Sequence, residues 1–106
     1  MQTNKKTILI VDDSAIILER LTSMLQKLEN AGDILMAQTF TEALQCLGKI
    51  TIDIALFDIH LKDKSGIDLL RITRERHPDI IVIMVTNQAN EQVEGVCRDQ
   101  IGRAHV

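Results

Sequence analysis

The stretch "ILIVDDSAI", residues 8–16, decides how the chain folds. Four branched apolar residues run directly into Asp12 and Asp13, and a helix-like apolar pattern follows. The run has no polar alternation, which is typical of a strand buried on both faces of a sheet. The two adjacent carboxylates repel each other, and no lysine or arginine stands beside them. The pattern therefore predicts a buried strand whose end attracts a cation from outside the chain.

Composition limits the fold size and the class of function. The 106 residues fit one domain with one core, and 45% of them are hydrophobic, which is enough for a globular interior. A net charge of −3 argues against a broad surface for nucleic acid or anionic membrane. Only Phe40 and Phe57 are aromatic, too few for a platform that stacks bases.

The cysteines and the N-terminal segment bear on location. Cys46 and Cys97 match no metal-binding or redox spacing, which favours a reduced cytosolic chain. The start, "MQTNKK", leads into an apolar run too short for a signal peptide or a membrane span. We therefore expect a cytoplasmic protein with no membrane contact and no direct nucleic acid contact.

Short apolar runs alternate with helical patterns along the chain. The runs at 8–11, 34–37, 54–57 and 80–85 lack polar alternation and predict four buried strands. A first helix is predicted between the first two runs by an apolar stripe at three- and four-residue steps, which comprises Ile17, Leu21, Met24, Leu25 and Leu28.

Start and stop signals bound the later helices. Thr39, with Glu42 three residues on, has the capping-box pattern, and Gly48 is a plausible stop for this second helix. A third helix follows Gly66 and must end near His77, because proline follows. A fourth is predicted from near Asn90. The predicted inner faces are Phe40, Ala43, Leu44 and Leu47 in the second helix, and Ile67, Leu70 and Arg74 in the third.

Strict alternation of strands and helices predicts a parallel sheet with right-handed crossovers. In such sheets the functional crevice lies beyond the carboxyl ends of the strands. The first strand leaves Asp12 and Asp13 there, the third leaves Asp58, and the fourth leaves Thr86 and Asn87. Since the first and third strands are the expected central neighbours, the three acids should converge.

Three converging carboxylates raise one another's pKa and are costly unless a cation joins them. Hard oxygen ligands in this number suit Mg²⁺, which favours phosphate oxygens as further ligands. Asp58 could then act as a nucleophile towards a phosphoryl group, with the Thr86 hydroxyl beside it. The competing interpretations are local: Asp13 or Ser14 as a helix cap, Asp58 as a turn residue and Thr86 as a strand former.

The segments "ILIVDDS", "ALFDIHLKDKSGIDLL" and "IIVIMVTN" together resemble the receiver domain of two-component response regulators, over about residues 6 to 95. The resemblance implies an α/β fold of the flavodoxin-like, doubly wound kind, with strand order 2-1-3-4-5. It implies that Asp58 accepts a phosphoryl group from a sensor histidine kinase or a phosphotransfer protein. Gly66 matches the glycine that opens the turn into the third helix.

The resemblance also implies roles for the residues around the acceptor. Asp13 corresponds to a direct Mg²⁺ ligand, Asp12 to a ligand acting largely through water, and His60 to the residue whose backbone carbonyl joins them. Asp58 is itself in the metal set, and Thr86 corresponds to a switch hydroxyl that moves towards the phosphoryl group. No organic cofactor is implied, nor any enzyme activity beyond self-phosphorylation and self-dephosphorylation.

Three positions depart from the family pattern. Lys62 stands where proline is usual, which predicts a looser loop after Asp58. His60 replaces a more common Asn, Asp or Met, and we expect it to alter the lifetime of the phosphorylated state; a plain solvent-facing loop residue is the alternative. Asn87 stands where a small residue is usual and would narrow access for the kinase.

The end of the chain departs most. After Gly95, "VCRDQIGRAHV" contains no Val/Ile-rich strand followed by the family's lysine, and neither Arg98 nor Arg103 can be assigned that role. We therefore expect one incomplete receiver domain over 1–106, with sheet order 2-1-3-4 and without the fifth strand and helix. Residues at about 96–106 form an atypical tail, which need not be the native sequence. The fourth strand would then be a bare apolar edge open to self-association, and the fold would be marginal.

Rival functions come from other classes of protein. A pseudo-receiver that binds partners without ever taking phosphate stays open. A flavin-binding module is disfavoured, because Asp12 and Asp13 occupy the loop that would bind phosphate. An aspartate-nucleophile phosphatase would want its two acids two residues apart, and here they are adjacent.

Overall fold

The structure, a computed structural model, describes residues 4–85. Strands and helices alternate in it without exception. The strands are β1 (Lys6–Val11), β2 (Ala31–Ala37), β3 (Ile54–Asp58) and β4 (Ile81–Val85), and the helices are α1 (Ala15–Gln26), α2 (Phe40–Lys49) and α3 (Gly66–Arg76). Thr86, Asn87, the helix predicted from near Asn90 and the tail at 96–106 lie outside the described residues.

All strand pairs are parallel, and the order is β2-β1-β3-β4. This confirms the predicted flavodoxin-like α/β sheet of order 2-1-3-4. Val11 at the end of β1 pairs with Phe57 on one side and Ala37 on the other. The loops that follow β1 and β3 therefore leave the same edge of the sheet side by side.

Strand β1 is apolar throughout its second half because helices cover both faces of the sheet. Leu9 and Val11 belong to the larger core cluster, which includes the inner faces of α2 and α3. Ile8 and Ile10 point the other way and pack with Leu18 of α1. Successive strand side chains alternate between faces, so an unbroken apolar run is what a doubly covered strand requires.

Helix α1 corrects part of the predicted stripe. Met24 is 63% exposed and Leu28, beyond the helix end, is 56% exposed. The inward face comprises Leu18, which is buried, with Leu21 and Leu25 packed beside it. These three positions share a narrower stripe with three- and four-residue steps, whereas Met24 lies one residue, about 100° of rotation, before Leu25.

Helix α2 begins with the predicted capping interaction. The Thr39 hydroxyl accepts a hydrogen bond from Glu42 N at 3.1 Å, while the Glu42 carboxylate accepts one from Gln38 N at 2.8 Å. The return bond therefore reaches the residue before the cap. The predicted inner face is confirmed, but the stop at Gly48 is wrong, because the helix continues to Lys49. The buried members are Phe40, Ala43 and Leu47, with Leu44 partly buried.

Helix α3 ends at Arg76 with His77 as its C-cap, as the following proline predicted. Its buried positions include Leu69, Leu70 and Thr73. Arg74, predicted on the inner side, is exposed. The three- and four-residue steps from Gly66 through Leu69, Leu70 and Thr73 define the buried stripe, and a charged side chain at its margin reaches water.

Candidate functional site

The two neighbouring strand ends bring three acids together. Asp12 directly follows β1, Asp13 comes next, and Asp58 is the last residue of β3. One carboxylate oxygen from each lies within 4.8 Å of the others. The convergence predicted from the strand pattern is therefore present, and it follows from the pairing of β1 with β3.

Asp12 is held by the elements on both sides of it. Its backbone N–H donates to the Ala37 carbonyl at the end of β2, at 3.0 Å. Its carboxylate accepts a hydrogen bond from Ser14 N at 2.9 Å, and the residue is only 3% exposed. Burial raises the pKa of Asp12, the Ser14 N–H opposes that rise, and the charge of Asp13 adds to it. The site thus contains a buried acid that is costly to ionise.

The start of α1 decides between two readings of this loop. Ser14 is the N-cap, and its hydroxyl accepts a hydrogen bond from Ile17 N at 3.3 Å. Asp13 is therefore not the cap, and its half-buried carboxylate belongs to the acid cluster instead. The N-terminal end of α1 next to the cluster contributes positive dipole character.

Asp58, at the end of β3, is a buried acid with a strongly raised pKa. It is 4% exposed, and its carboxylate accepts a hydrogen bond from His60 N at 3.3 Å. Burial, followed by the negative charge of Asp12, raises the pKa of Asp58 to about 6, against the opposing effect of the His60 N–H. The carboxylate is thus partly desolvated and repelled by its neighbours, a state that a bound cation would relieve.

The loop 59–65 folds back on the end of β3. Gly66 N donates to the Ile59 carbonyl at 2.7 Å, and His60 and Ser65 form an antiparallel bridge. A Cβ atom on Gly66 would overlap the carbonyl oxygen of Asp58. Only glycine permits this approach, which explains physically why a glycine opens α3. The predicted role of His60 rests on its backbone, and the residue itself is exposed.

Two residues of this loop that the sequence analysis did not single out make contacts with α2. The Asp63 carboxylate accepts a hydrogen bond from Phe40 N at 3.0 Å, and this N–H lowers the pKa of Asp63. Lys64 Nζ lies 5.2 Å from the centroid of the Phe40 ring. Asp63 and Phe40 are 23 residues apart, so no local pattern could have revealed the pair.

The remaining predicted site residue, Thr86, lies outside the described residues.

A surface cavity of about 380 Å³ is found at the opposite edge of the sheet, where α2 and α3 end, and its lining includes none of the three acids. We regard the acid cluster as the functional site, because the cavity lacks a comparable convergence of reactive groups.

Within residues 4–85, no helix has both the length and the apolar character needed to cross a bilayer.

Comparison with known proteins agrees with this geometry. The model of the response regulator receiver domain matches residues 8–101. The response regulator protein PilR of Pseudomonas aeruginosa is 35% identical over 83 residues, which are 78% of this chain and 18% of PilR. The regulatory protein VanR of Enterococcus faecium is 37% identical over 84 residues, which are 79% of this chain and 35% of VanR. The chain thus spans less than half the length of these relatives.

Solved structures share the fold. A CheY-like receiver domain protein from Methanospirillum hungatei superposes with a TM-score of 0.77 at 31% identity, covering 96% of this chain and 80% of that one. The MaeR response regulator bound to beryllium trifluoride gives a TM-score of 0.75 at 28% identity, covering 87% of this chain and 77% of MaeR. Because the family match covers residues 8–101, most of the chain and all three converging acids, this protein belongs to the family of response regulator receiver domains of two-component signal transduction.

Proposed function

We propose that this domain accepts a phosphoryl group on Asp58 from a phosphohistidine of a sensor histidine kinase or a phosphotransfer protein. The observation that carries the proposal is the acid cluster. Asp58 ends β3 with its carboxylate within 4.8 Å of ligand atoms of Asp12 and Asp13. Burial and repulsion raise its pKa to about 6, as expected for a reactive group set in a binding site.

The cluster fits Mg²⁺ by the chemistry of its donors. Asp12, Asp13 and Asp58 offer hard carboxylate oxygens from two adjacent loops, and the His60 backbone carbonyl would complete the protein's share. The raised pKa of Asp58 is partly caused by the charge of Asp12, which a divalent cation would offset. When bound, Mg²⁺ would neutralise charge on the transferred phosphoryl group.

The transfer itself is a displacement at phosphorus. A carboxylate oxygen of ionised Asp58 forms the new O–P bond, the N–P bond of the phosphohistidine breaks, and the imidazole nitrogen leaves with the electron pair. The Ser14 N–H holds the Asp12 carboxylate in place, and the His60 N–H does the same for Asp58. Thr86 is proposed as the hydroxyl that moves to a phosphoryl oxygen.

A beryllium trifluoride complex tests the proposal, with Asp58→Asn as the loss-of-acceptor variant. The parent should form a complex that requires Mg²⁺ and survives in Asp33→Asn, since Asp33 is an exposed acid of β2. Asp58→Asn should form none. Failure of the parent to bind Mg²⁺ or beryllium trifluoride would contradict the proposal. It would favour a pseudo-receiver that binds partners without being phosphorylated.

His60 is proposed to tune the lifetime of the phosphorylated state. The residue is exposed, and its backbone N–H bonds to the Asp58 carboxylate, so His60 is next to the acceptor in a position that water can reach. Replacing it by Asn should change the dephosphorylation rate, measured by loss of label from the phosphorylated protein. Equal rates for the parent and His60→Asn would show that the side chain is only a solvent-facing loop residue.

The setting of the domain is proposed from its surface and composition. We infer a cytoplasmic location, no activity beyond its own phosphorylation and dephosphorylation, and no direct contact with nucleic acid.

Self-association through β4 is also proposed, because β4 is the outer strand of the described sheet and Ile81 on it is 52% exposed. A concentration-independent monomer mass in sedimentation would contradict that last point.

A further inference from the structure

One short segment, residues 37–40, contacts both loops that carry the acids. At its first residue, the Ala37 carbonyl accepts the hydrogen bond from Asp12 N at 3.0 Å. At its last residue, Phe40 N donates to the Asp63 carboxylate at 3.0 Å. The entry to α2 therefore links the loop after β1 to the loop after β3, and the three acids belong to those two loops and their junctions.

The loop 59–65 is anchored at its base and in its middle. Gly66 N bonds to the Ile59 carbonyl at 2.7 Å, and Leu61 is 8% exposed within the larger core cluster. Beyond Leu61, burial no longer holds the loop, because Lys62, Asp63 and Lys64 are all exposed. The position of this tip must therefore be set by specific contacts.

The contacts of the tip converge on Phe40. Its N–H is in the first turn of α2, where intrahelical bonds leave donors free, and the negative charge of Asp63 suits a helix N-terminus. The next residue, Lys64, places its ammonium 5.2 Å from the centroid of the Phe40 ring, within range of a cation–π interaction. The Phe40 ring is itself anchored, since the residue is 7% exposed in the core.

We propose that Asp63 is a positioning residue, which holds the tip of loop 59–65 on the N-terminus of α2 and thereby sets the position of the His60 backbone against the Asp58 carboxylate. This inference rests on the proposed function, in which the His60 carbonyl and Asp58 bind Mg²⁺. Asp63 is not one of the three acids whose carboxylate oxygens converge. It acts through the backbone between residues 60 and 63.

The test compares Asp63→Ala with Asp63→Asn in the 106-residue chain, using Mg²⁺ titration calorimetry at neutral pH. Asp63→Ala removes the acceptor, and we expect Mg²⁺ affinity to fall about tenfold, the low end of the range for groups that orient a metal ligand. The amide of Phe40 should lose hydrogen-exchange protection, and the amide resonance of His60 should shift. Asp63→Asn keeps an oxygen that can accept from Phe40 N, so affinity and both amides should return close to the parent.

Thr39→Ala is the matched control. It removes the hydroxyl that accepts from Glu42 N, and so weakens the start of α2 without touching Asp63. Its Mg²⁺ affinity should equal that of the parent, although the lost cap destabilises the start of the helix. An affinity loss in Thr39→Ala as large as in Asp63→Ala would overturn the inference, because general destabilisation would then explain both.

Two further outcomes would also overturn it. Equal affinity in the parent and Asp63→Ala would remove the positioning role while leaving the proposed function intact. A loss in Asp63→Asn as large as in Asp63→Ala would assign the effect to the lost charge and not to the hydrogen bond. A parent that binds no Mg²⁺ would overturn the proposed function itself, and this inference with it.

Discussion

Asp58 is a buried acid whose ionisation opposes the stability of the fold. It is 4% exposed and shares a small space with Asp12 and Asp13. Burial, followed by the charge of Asp12, raises its pKa to about 6. A carboxyl whose pKa is raised on folding makes the folded state less stable once the pH is high enough to ionise it. Such a residue is best explained by what it does when a cation is present.

Asp58→Asn should remove this cost in the metal-free protein. We expect the free energy of unfolding at neutral pH to rise by about 2 kcal/mol, somewhat less than the full pKa shift would give. Because the folded-state pKa lies above the ordinary 3.8, the gain should be absent below that pH, develop between that pH and about 6, and stay nearly constant above about 6. Urea denaturation over a pH series measures it.

The exposed acid Asp33 provides the control for this experiment. Asp33→Asn should change stability by less than about 0.5 kcal/mol at any pH in the series. A gain in Asp58→Asn that is equally large in acid would contradict the electrostatic explanation, because a neutral carboxyl and an amide differ little in charge.

Gly66 and Gly48 form a natural pair for a second test. A Cβ on Gly66 would collide with the Asp58 carbonyl, and we expect Gly66→Ala to lower the free energy of unfolding by about 2–4 kcal/mol. Gly48 lies inside α2 with nothing within 4 Å of an added Cβ, so Gly48→Ala should raise it by about 1 kcal/mol. Thermal unfolding of both variants checks the signs. A tolerated Gly66→Ala would show that the loop can move away.

At the scale of the element, β1 contributes side chains to both hydrophobic clusters, one on each face of the sheet. Leu9 and Val11 pack towards α2 and α3, while Ile8 and Ile10 pack towards α1. The same strand pairs with β2 and β3 and delivers Asp12 and Asp13 at its end. The geometry of the acid cluster thus depends on how α1 is seated, because Ser14 at its start binds the Asp12 carboxylate.

The seating of α1 can be tested with two aliphatic truncations. Leu18 is 4% exposed, so Leu18→Ala should cost about 2–5 kcal/mol of unfolding free energy through lost burial and a new cavity. Met24, in the same helix, is 63% exposed, and Met24→Ala should change stability by less than about 0.5 kcal/mol. Chemical denaturation separates the two. A larger loss in Met24→Ala would mean that α1 is rotated towards the predicted stripe.

At the scale of the whole molecule, we expect the acid cluster to couple folding to cation binding. The two loops that contribute the carboxylates come together only in the folded sheet, since they are joined through the pairing of β1 with β3. A ligand that binds the folded state alone must raise its apparent stability. Because the acids must be ionised to bind, the same ligand competes with protons.

Mg²⁺ should therefore stabilise the protein in a pH-dependent way. At about 100 times its dissociation constant, we expect a gain of about 2.7 kcal/mol in the free energy of unfolding at neutral pH. The gain should shrink as the pH falls through about 6, where Asp58 becomes protonated. Thermal melts with Mg²⁺ and with a chelator measure it, and Asp58→Asn serves as the control. An unchanged transition in the parent would contradict the metal site.

Much of this molecule could be predicted from short-range patterns. The unbroken apolar runs identified the strands, Thr39 and Glu42 identified the start of α2, and the proline after His77 identified the end of α3. Alternation of strands and helices determined the parallel sheet, and placing Asp12 and Asp58 at adjacent strand ends followed from that topology. These features depend on interactions within a few residues or on general rules of handedness.

Tertiary structure alone decided the rest. It turned Met24 out to solvent, although Met24 shares the apolar spacing of its neighbours, because the sheet accepts only a narrow stripe of α1. It paired Asp63 with Phe40 across 23 residues, and it placed Gly66 against the Asp58 carbonyl. A sequence pattern encodes which residues prefer burial or a cap, but contacts between distant segments depend on where the whole backbone runs in space.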